Sequence, residues 1–298
     1  MDGLGGMMGV WFLRVLHALL PSRGLAVLGE GLGVVLYRVS AARRHIGATN
    51  LRLCFPEWTA AQRKAVLKQH FRALGRATLL ESVSWWGQRA EVERVVRFAG
   101  QEHLEAVAGR PVILLAPHFV GLNLGGVRVT AALAPIVSLY ATIKNPQINA
   151  LMLQARLRFA GQEGEVSEMY SRQDGIKPVL RALKKGRPFY YLPDMDYGPT
   201  DALFVPFFGV PTATITGLPR IAKAANAVVV PCVTRWAGDH YVTQFYPAWT
   251  DYPSGDVAAD TRRMNAFIED RIRAMPEQYF WLHKRFKTRP EGAANLYD

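Results

Sequence analysis

A histidine and an asparagine near the middle of the chain have the residue types and spacing for proton-transfer chemistry. In the stretch "VILLAPHFVGLNLGG", an apolar run stops at Pro117, His118 follows at once, and Asn123 comes five positions later. A histidine can take a proton from a weak nucleophile at neutral pH. An amide oxygen can hold the imidazole in one tautomer, although it cannot neutralise the imidazolium that forms. We therefore predict that His118 is a general base and that Asn123 orients it.

Two carboxylates follow a second apolar run, in "PFYYLPDMD". Asp194 and Asp196 alternate along an extended segment, which would point both side chains to one side. We predict that they orient the site or a bound substrate, and capping of the loop is the alternative. Arg172 precedes this run and is a candidate for binding an anion of the substrate or a developing oxyanion; a solvated surface charge is the alternative.

The surrounding pattern alternates between short apolar runs and helical periodicity. Predicted strands cover 111–116, 136–141, 188–193, 227–233 and 240–247, and predicted helices cover 119–133, 146–160, 175–186 and 216–226. This alternation predicts an α/β fold with a central, mostly parallel sheet flanked by helices. In such sheets functional residues gather at the carboxyl ends of the strands. His118 and Asp194 both follow predicted strands, so we expect them to share one site.

Composition limits the class of protein and its partners. The chain has 298 residues, 50% of them hydrophobic, with neither a linker nor an internal repeat, which favours one large domain. A formal net charge of +12 would attract anionic lipid, an acidic protein or nucleic acid. Nucleic acid is not an expected partner, because no recognition motif is present. The distant Cys54 and Cys232 are predicted to be buried, reduced thiols, and no metal site is expected.

The amino-terminal region, residues 9–44, is strongly apolar but interrupted. Arg14 and His17 break its first half, and Pro21 divides it, so neither half supplies the roughly 20 apolar residues of a membrane span. The two polar residues share one helical face, which is typical of a helix lying in a membrane interface. Arg43 and Arg44 follow and suit an anionic cytoplasmic leaflet. The alternative is a helical hairpin packed on the protein's own core.

The carboxyl-terminal region mixes aromatic and basic residues in "WLHKRFKTRP". Lys284 and Arg285 belong to this stretch, and we predict that they bind lipid phosphates or an acidic carrier protein. A solvated tail is the alternative. The stretch "FVPFFGVPTAT", residues 204–214, is aromatic and tightly turned; it would wall an acyl-chain groove or simply pack in the core.

Four stretches of the chain together resemble the late acyltransferases of lipid A biosynthesis, within the lysophospholipid and glycerolipid acyltransferase superfamily. They are "RRHIGATNLRLCFPEWTAAQRKAVLKQHFRALGRATLLE", "APHFVGLNLGG", "YLPDMDYGPTDALFVPFFGVPTATITGLPRIAKAANAVVVP" and "PEQYFWLHKRFKTRPEG". The resemblance implies an enzyme on the cytoplasmic face of the inner membrane. It would move a fatty acyl group from acyl carrier protein, or less often coenzyme A, to a hydroxyl of a lipid A precursor, without a metal or redox cofactor.

The resemblance also implies a catalytic motif in which a carboxylate stands five residues after the histidine. His118 matches this motif, whereas Asn123 departs from it. Asn123 could orient the base as an amide, Asp194 or Asp196 could supply the missing charge, or the chain could be a catalytically silent homologue. Another lipid acceptor, such as a lysophospholipid or an ornithine-type lipid, is also open. We expect a membrane-associating segment at 1–42 and a single glycerolipid-acyltransferase-like domain at 43–298.

Overall fold

The computed structural model describes residues 3–133, 135–143, 145–159 and 167–298, with side chains from residue 6 onward. The described helices are α1 Gly3–Leu19, α2 Ser22–Val39, α3 Ala41–Cys54, α4 Ala60–Trp86, α5 Arg89–Val95, α6 Glu102–Glu105, α7 Leu122–Leu133, α8 Pro146–Leu157, α9 Lys177–Lys184, α10 Gly217–Ala225 and α11 Val257–Ala274. The described strands are β1 Val96–Ala99, β2 Val112–Leu115, β3 Val137–Tyr140, β4 Glu168–Ser171, β5 Phe189–Tyr191, β6 Ala202–Phe207, β7 Val210–Ile215, β8 Val228–Trp236 and β9 Tyr241–Phe245.

Seven of these strands form one sheet, in the order β1-β9-β8-β2-β5-β3-β4. Every neighbouring pair is parallel except β8 with β9, which is antiparallel. All residues of β2 and β5 are buried, as expected of parallel strands covered by helices on both faces. The predicted α/β fold with a mostly parallel sheet is confirmed, and it places the carboxyl ends of β2 and β5 side by side near the middle.

A two-stranded antiparallel hairpin, β6 with β7, lies outside this sheet and was missed by the sequence analysis. Pro206 and Pro211 argue against strands in this stretch, because proline cannot donate to a ladder. In the hairpin the two prolines lie opposite each other and form a non-hydrogen-bonded pair, so neither needs a backbone N–H there. Phe208 and Gly209 form the turn with positive φ values of 50° and 76°.

The core contains both cysteines. Cys54 and Cys232 are buried and free, which confirms that they are separate thiols. Burial raises the pKa of each thiol well above its ordinary value. Both therefore stay protonated and behave as small apolar side chains.

The helix α2 packs closely on α4 through glycines. A Cβ atom added at Gly29 would lie 2.6 Å from the carbonyl oxygen of Gly75, and one at Gly33 would clash with the carbonyl oxygen of Phe71. The two backbones can approach this closely only because the contacting residues have no side chain. At α2 the amino-terminal region thus packs against another helix of the protein, α4, and its association with a membrane stays a prediction.

The exposed surface of α1 and α2 is nonetheless apolar. Its exposed large side chains are Met7, Met8, Trp11, Phe12, Leu19, Val27, Leu28, Val35 and Val39. Soluble monomers rarely present so many large apolar side chains on one surface. Across the described ranges, no single helix is long and apolar enough to cross a membrane; α2 and α3, bent by 93° at their junction, reach that length and composition only as a pair.

Candidate active site

The sheet register brings His118 and Asp194 together. Leu115 in β2 is paired with Tyr191 in β5, and each functional residue stands three positions after its member of that pair. The parallel pairing continues one step further, since the backbone N–H of Ala116 donates to the carbonyl oxygen of Tyr191 at 2.8 Å. Both residues were expected to share one site because each follows a predicted strand. The register shows that the two strands are neighbours, and the two side chains are in contact.

Asp194 holds His118 through two hydrogen bonds. Its Oδ1 lies 2.6 Å from the Nδ1 atom of the ring, and its Oδ2 accepts from the backbone N–H of His118 at 2.9 Å. Asp194 is fully buried, which by itself raises the pKa of its carboxyl group. The charge and hydrogen bonds of His118, together with the charge of Arg285, outweigh burial, so the pKa of Asp194 lies below its ordinary value. The carboxylate is therefore ionised at neutral pH and acts as the acceptor.

An ionised acceptor at Nδ1 fixes the tautomer of the His118 ring. The proton must sit on Nδ1, which leaves the lone pair of the neutral imidazole on Nε2. The His118 side chain is 23% exposed and lines a cavity of about 660 Å³. That volume lies within the usual range for small-ligand sites. The cavity wall is largely apolar and includes Leu74, Val127, Ile136, Leu139, Ile143, Met152, Leu153, Met169 and Phe280.

Asn123 lines the same cavity but points to a different partner. Its Oδ1 accepts from Nη2 of Arg156 at 3.2 Å, whereas the ring Nδ1 of His118 is taken by Asp194. Arg156 is in turn close enough to Glu81 for their charges to interact. Burial raises the pKa of Glu81 to about 7, and the positive charge of Arg156 offsets part of that effect. The amide thus belongs to a second polar cluster, formed by α4, α7 and α8.

Asp196 does not share the role of Asp194, contrary to the predicted common direction of the two carboxylates. Its Oδ2 and Oδ1 accept from the backbone N–H and the hydroxyl of Thr288, at 2.7 and 2.8 Å. Its own N–H donates to Nε2 of His283 at 2.9 Å. Burial first and the charge of Arg285 second lower the pKa of His283 to about 4, so His283 is neutral. Asp196 fastens the carboxyl-terminal segment beside the cavity.

The three predicted cationic residues occupy different environments. Arg172 is exposed, lines the cavity and stacks on the ring of Tyr197 at 3.8 Å from its centroid. Lys284 is exposed, lies over Tyr297 and does not line the cavity. Arg285 is only 3% exposed and donates to Ala213 and Thr214, so it cannot bind a lipid phosphate. The prediction for Arg285 was wrong, because the segment packs inside the protein.

The sequence analysis missed Glu81, Arg156 and His283. Each is a single polar residue in a helix or loop far from the motif in sequence, so nothing in the local pattern distinguishes it from a surface residue. Within the described ranges, no cluster of three or more His, Cys, Asp or Glu side chains is placed to hold a metal ion. The arrangement instead combines an oriented imidazole with two cavity cations, Arg156 and Arg172.

A buried aspartate that orients a histidine beside an apolar cavity, at the carboxyl edge of a parallel sheet, is an arrangement suited to an enzyme that moves protons next to an apolar substrate. Comparison with known proteins specifies the class. Residues 4–288 match the family model described as bacterial lipid A biosynthesis acyltransferase. The chain therefore belongs to that family and is an acyltransferase.

Individual relatives extend over almost the full length of the chain. A lipid A biosynthesis acyltransferase of Haemophilus influenzae is 33% identical, over 99% of this chain and 91% of its own. The lipid A biosynthesis lauroyltransferase of Escherichia coli K12 is 35% identical, over 93% of this chain and 90% of its own. The lipid A biosynthesis myristoyltransferase of the same organism is 29% identical, over 99% and 88%. The resemblance noted in the sequence is thereby confirmed.

Proposed function

We propose that the chain transfers a fatty acyl group from a thioester donor to a hydroxyl of a lipid A precursor, with His118 as the general base. The observation that carries this proposal is the 2.6 Å contact between Nδ1 of His118 and Asp194 beside an apolar cavity. The contact leaves Nε2 as the basic atom on a ring that lines the cavity. The names of the family and of the relatives supply the acceptor class.

The reaction follows from these positions. Nε2 of His118 removes the proton of the lipid hydroxyl while the oxygen attacks the thioester carbonyl carbon. Asp194 stabilises the imidazolium formed, because its carboxylate already faces Nδ1–H. The tetrahedral intermediate collapses by breaking the carbon–sulfur bond, and the imidazolium returns its proton to the departing thiolate. The products are an ester and a free thiol.

The cavity supports binding of both reactants. Its apolar wall suits an acyl chain, which gains about 0.8 kcal/mol for each CH₂ group removed from water. Arg172 and Arg156 are cations suited to the oxyanion or to phosphate groups of the lipid. The net charge of +12 suits an acidic carrier protein as donor, with coenzyme A as the second donor. No residue role in this scheme calls for a cofactor.

The test is turnover by the purified protein with a lipid A precursor and either acyl-acyl carrier protein or acyl-coenzyme A. Mass spectrometry should show a product heavier by one acyl group, and the His118→Ala variant should form none while remaining folded. A lysophospholipid or an ornithine-type lipid, offered in parallel, tests the alternative acceptors. Absence of transfer from every thioester would instead identify a silent homologue, the reading that Asn123 raised.

We also propose that residues 1–42 associate with the cytoplasmic face of the inner membrane, while 43–298 form the acyltransferase domain. The exposed apolar face of α1 and α2 supports this location, and Arg43 and Arg44 suit an anionic surface. The double variant Trp11→Ser with Phe12→Ser should sediment about tenfold less with anionic liposomes. The matched control is Leu203→Ser with Phe204→Ser, an exposed apolar pair on the β6–β7 hairpin, which should sediment as wild type does.

A further inference from the structure

Arg285 is a buried cation without a carboxylate in contact. Its Nη1 donates to the carbonyl oxygen of Ala213 at 2.8 Å, and its Nη2 donates to the hydroxyl of Thr214 at 2.9 Å. The third nitrogen, Nε, is buried and has no hydrogen-bond partner. Among the residues that the structure describes, no carboxylate oxygen lies within 4 Å of this guanidinium. All of its direct partners are neutral, including the ring of Phe207 beneath it.

Burying an unpaired charge costs free energy, so we expect a compensating negative charge near Arg285. Glu269 is buried and acts on the same thiol, Cys54, but it is bound by Arg262 at 2.7 Å and by Arg273 at 3.6 Å. Asp196 is only partly buried, and its oxygens accept from Thr288 and from the backbone N–H of Gly198. Asp194 remains: it is fully buried, its direct ionic contact is the ring of His118, and the charge of Arg285 acts on it.

The other titratable groups around Asp194 do not change charge near neutral pH. Tyr197 and Tyr279 both interact with Asp194, and burial raises the pKa of each phenol above its ordinary value. His283 lies near both Asp194 and Arg285 and is neutral, with its pKa lowered to about 4. Cys54 and Tyr297, near Arg285, have pKa values raised mainly by burial. Arg172 is a second cation here, because it stacks on Tyr197, but it is exposed; Arg285 is the buried cation of this surrounding.

We infer that Arg285 is a positioning residue for acyl transfer: its buried guanidinium is the electrostatic counterpart of Asp194 and keeps the His118–Asp194 pair in its basic form. This inference rests on the proposed role of that pair. The active form contains an ionised Asp194 and a neutral ring, which together carry one negative charge in a buried place. A positive charge nearby stabilises this form without contact, since Coulomb interactions extend well beyond hydrogen-bond distance at low dielectric.

The direction of the expected effect follows from charge alone. Adding a proton to the pair destroys the base, and the positive charge of Arg285 opposes that addition. Removing the charge makes protonation easier, so the pair should keep its proton up to a higher pH. The acidic limb of the kcat/KM profile should then move to higher pH, by on the order of one pH unit. A residue with only a structural role would lower the rate at every pH and leave the limb in place.

Two matched pairs of variants test the inference. Arg285→Met removes the charge, whereas Arg285→Lys keeps it. Thr214→Asp places a carboxylate against Nη2 and neutralises the guanidinium in place, whereas Thr214→Asn changes the same side chain without adding charge. The limb should move to higher pH in Arg285→Met and Thr214→Asp, and it should stay where it is in Arg285→Lys and Thr214→Asn. Thermal unfolding identifies any variant that does not fold, and either pair alone decides the question.

A second measurement separates this inference from the proposed function. The ring of His118 can be titrated by ¹⁵N NMR in protein labelled at histidine, with its signals assigned by their loss in His118→Asn. The titration midpoint should rise in Arg285→Met and Thr214→Asp whether or not the protein turns over. Unmoved midpoints and limbs in both charge-removing variants would overturn the inference and leave catalysis by His118 intact. Full activity of His118→Ala would overturn the proposed function instead.

Discussion

Two carboxylates near the cavity have pKa values shifted in opposite directions. Asp194, at the end of β5, accepts directed hydrogen bonds from the backbone and ring of His118, and its pKa is lowered in spite of complete burial. Glu81, on α4, faces the charge of Arg156, and burial still raises its pKa to about 7. At Asp194 the charge and hydrogen bonds of His118, with the charge of Arg285, therefore outweigh burial, whereas at Glu81 the charge of Arg156 offsets burial only in part.

The difference arises from the elements that carry the groups. Asp194 and His118 each lie three residues after the end of one of two adjacent parallel strands, so the sheet register brings them together. Glu81, Asn123 and Arg156 come from three helices, α4, α7 and α8, and meet only through long side chains. The carboxylate of Asp194, which we propose to stabilise an imidazolium, is thus positioned by the rigid sheet. Asn123 and Glu81 are suited to holding the guanidinium of Arg156 at the cavity, where it can contact a bound anion.

The largest effect is expected from Asp194→Asn. The amide can present N–H to the ring and favour the wrong tautomer, and it cannot neutralise the imidazolium, so kcat should fall by about 10³–10⁴-fold. The measurement is the initial rate of acyl transfer at saturating donor. Asp196→Asn is the matched control, two residues further along the same loop; it should lose less than tenfold, because Asp196 holds Thr288 and not the ring. Equal losses in both variants would contradict the distinction between the two carboxylates.

The next effect concerns stability and Glu81. Its folded-state pKa of about 7 exceeds the ordinary 4.5, so the folded protein binds this proton more tightly than the unfolded chain. The resulting stability is fully present below pH 4.5 and is lost as pH rises through about 7. Glutamine imitates the neutral form, so Glu81→Gln should be more stable than wild type at pH 8, by up to about 3 kcal/mol, and equal to it near pH 4.

Urea unfolding at both pH values measures this difference. Glu105→Gln, an exposed carboxylate on α6, is the control and should match wild type at both. If Glu81→Gln is less stable at pH 8 instead, the interaction of Glu81 with the charge of Arg156 must contribute more than burial of the carboxylate costs. Asp194 and Glu81 would then both be stabilised as ions by their neighbours, and the contrast drawn between the two carboxylates would be wrong.

The strand-end position of His118 and Asp194 could be predicted from the sequence, because buried parallel strands have a strong apolar signal and these two end at prolines. Pro117 and Pro193 each precede the site by one residue. The choice between Asp194 and Asn123 as partner of the ring could not be predicted. It depends on β2 and β5 being adjacent in the sheet, with Leu115 opposite Tyr191, and no local pattern encodes strand order.

The carboxyl-terminal segment shows a different limit. Its basic residues suggested a surface for anions, yet Trp281, Arg285 and Phe286 are all buried. The interleaved aromatics were the signal for burial, and an arginine among them can be buried when backbone and hydroxyl oxygens accept its N–H groups. The attraction to anions that composition predicts stays a prediction, and Arg285 is too deeply buried to serve it.

The smallest effect is expected at Asn123, where the comparison becomes sharpest. Its oxygen accepts from Nη2 of Arg156 at 3.2 Å, so Asn123→Ala releases one hydrogen bond of a cavity cation and leaves the pair of His118 and Asp194 untouched. The rate should fall about tenfold, in keeping with one lost hydrogen bond to a charged group, and the pH of the acidic limb should not change.

Asn123→Asp keeps an acceptor for Arg156 and should stay within a few-fold of wild type. Arg156→Gln should lose at least as much as Asn123→Ala, because it removes the cation itself. A pH–rate profile of the three variants with one acyl donor decides the matter: if Asn123→Ala falls as far as Asp194→Asn, the amide orients the ring after all, and the helical cluster takes part in the proton transfer that we assign to the strand ends.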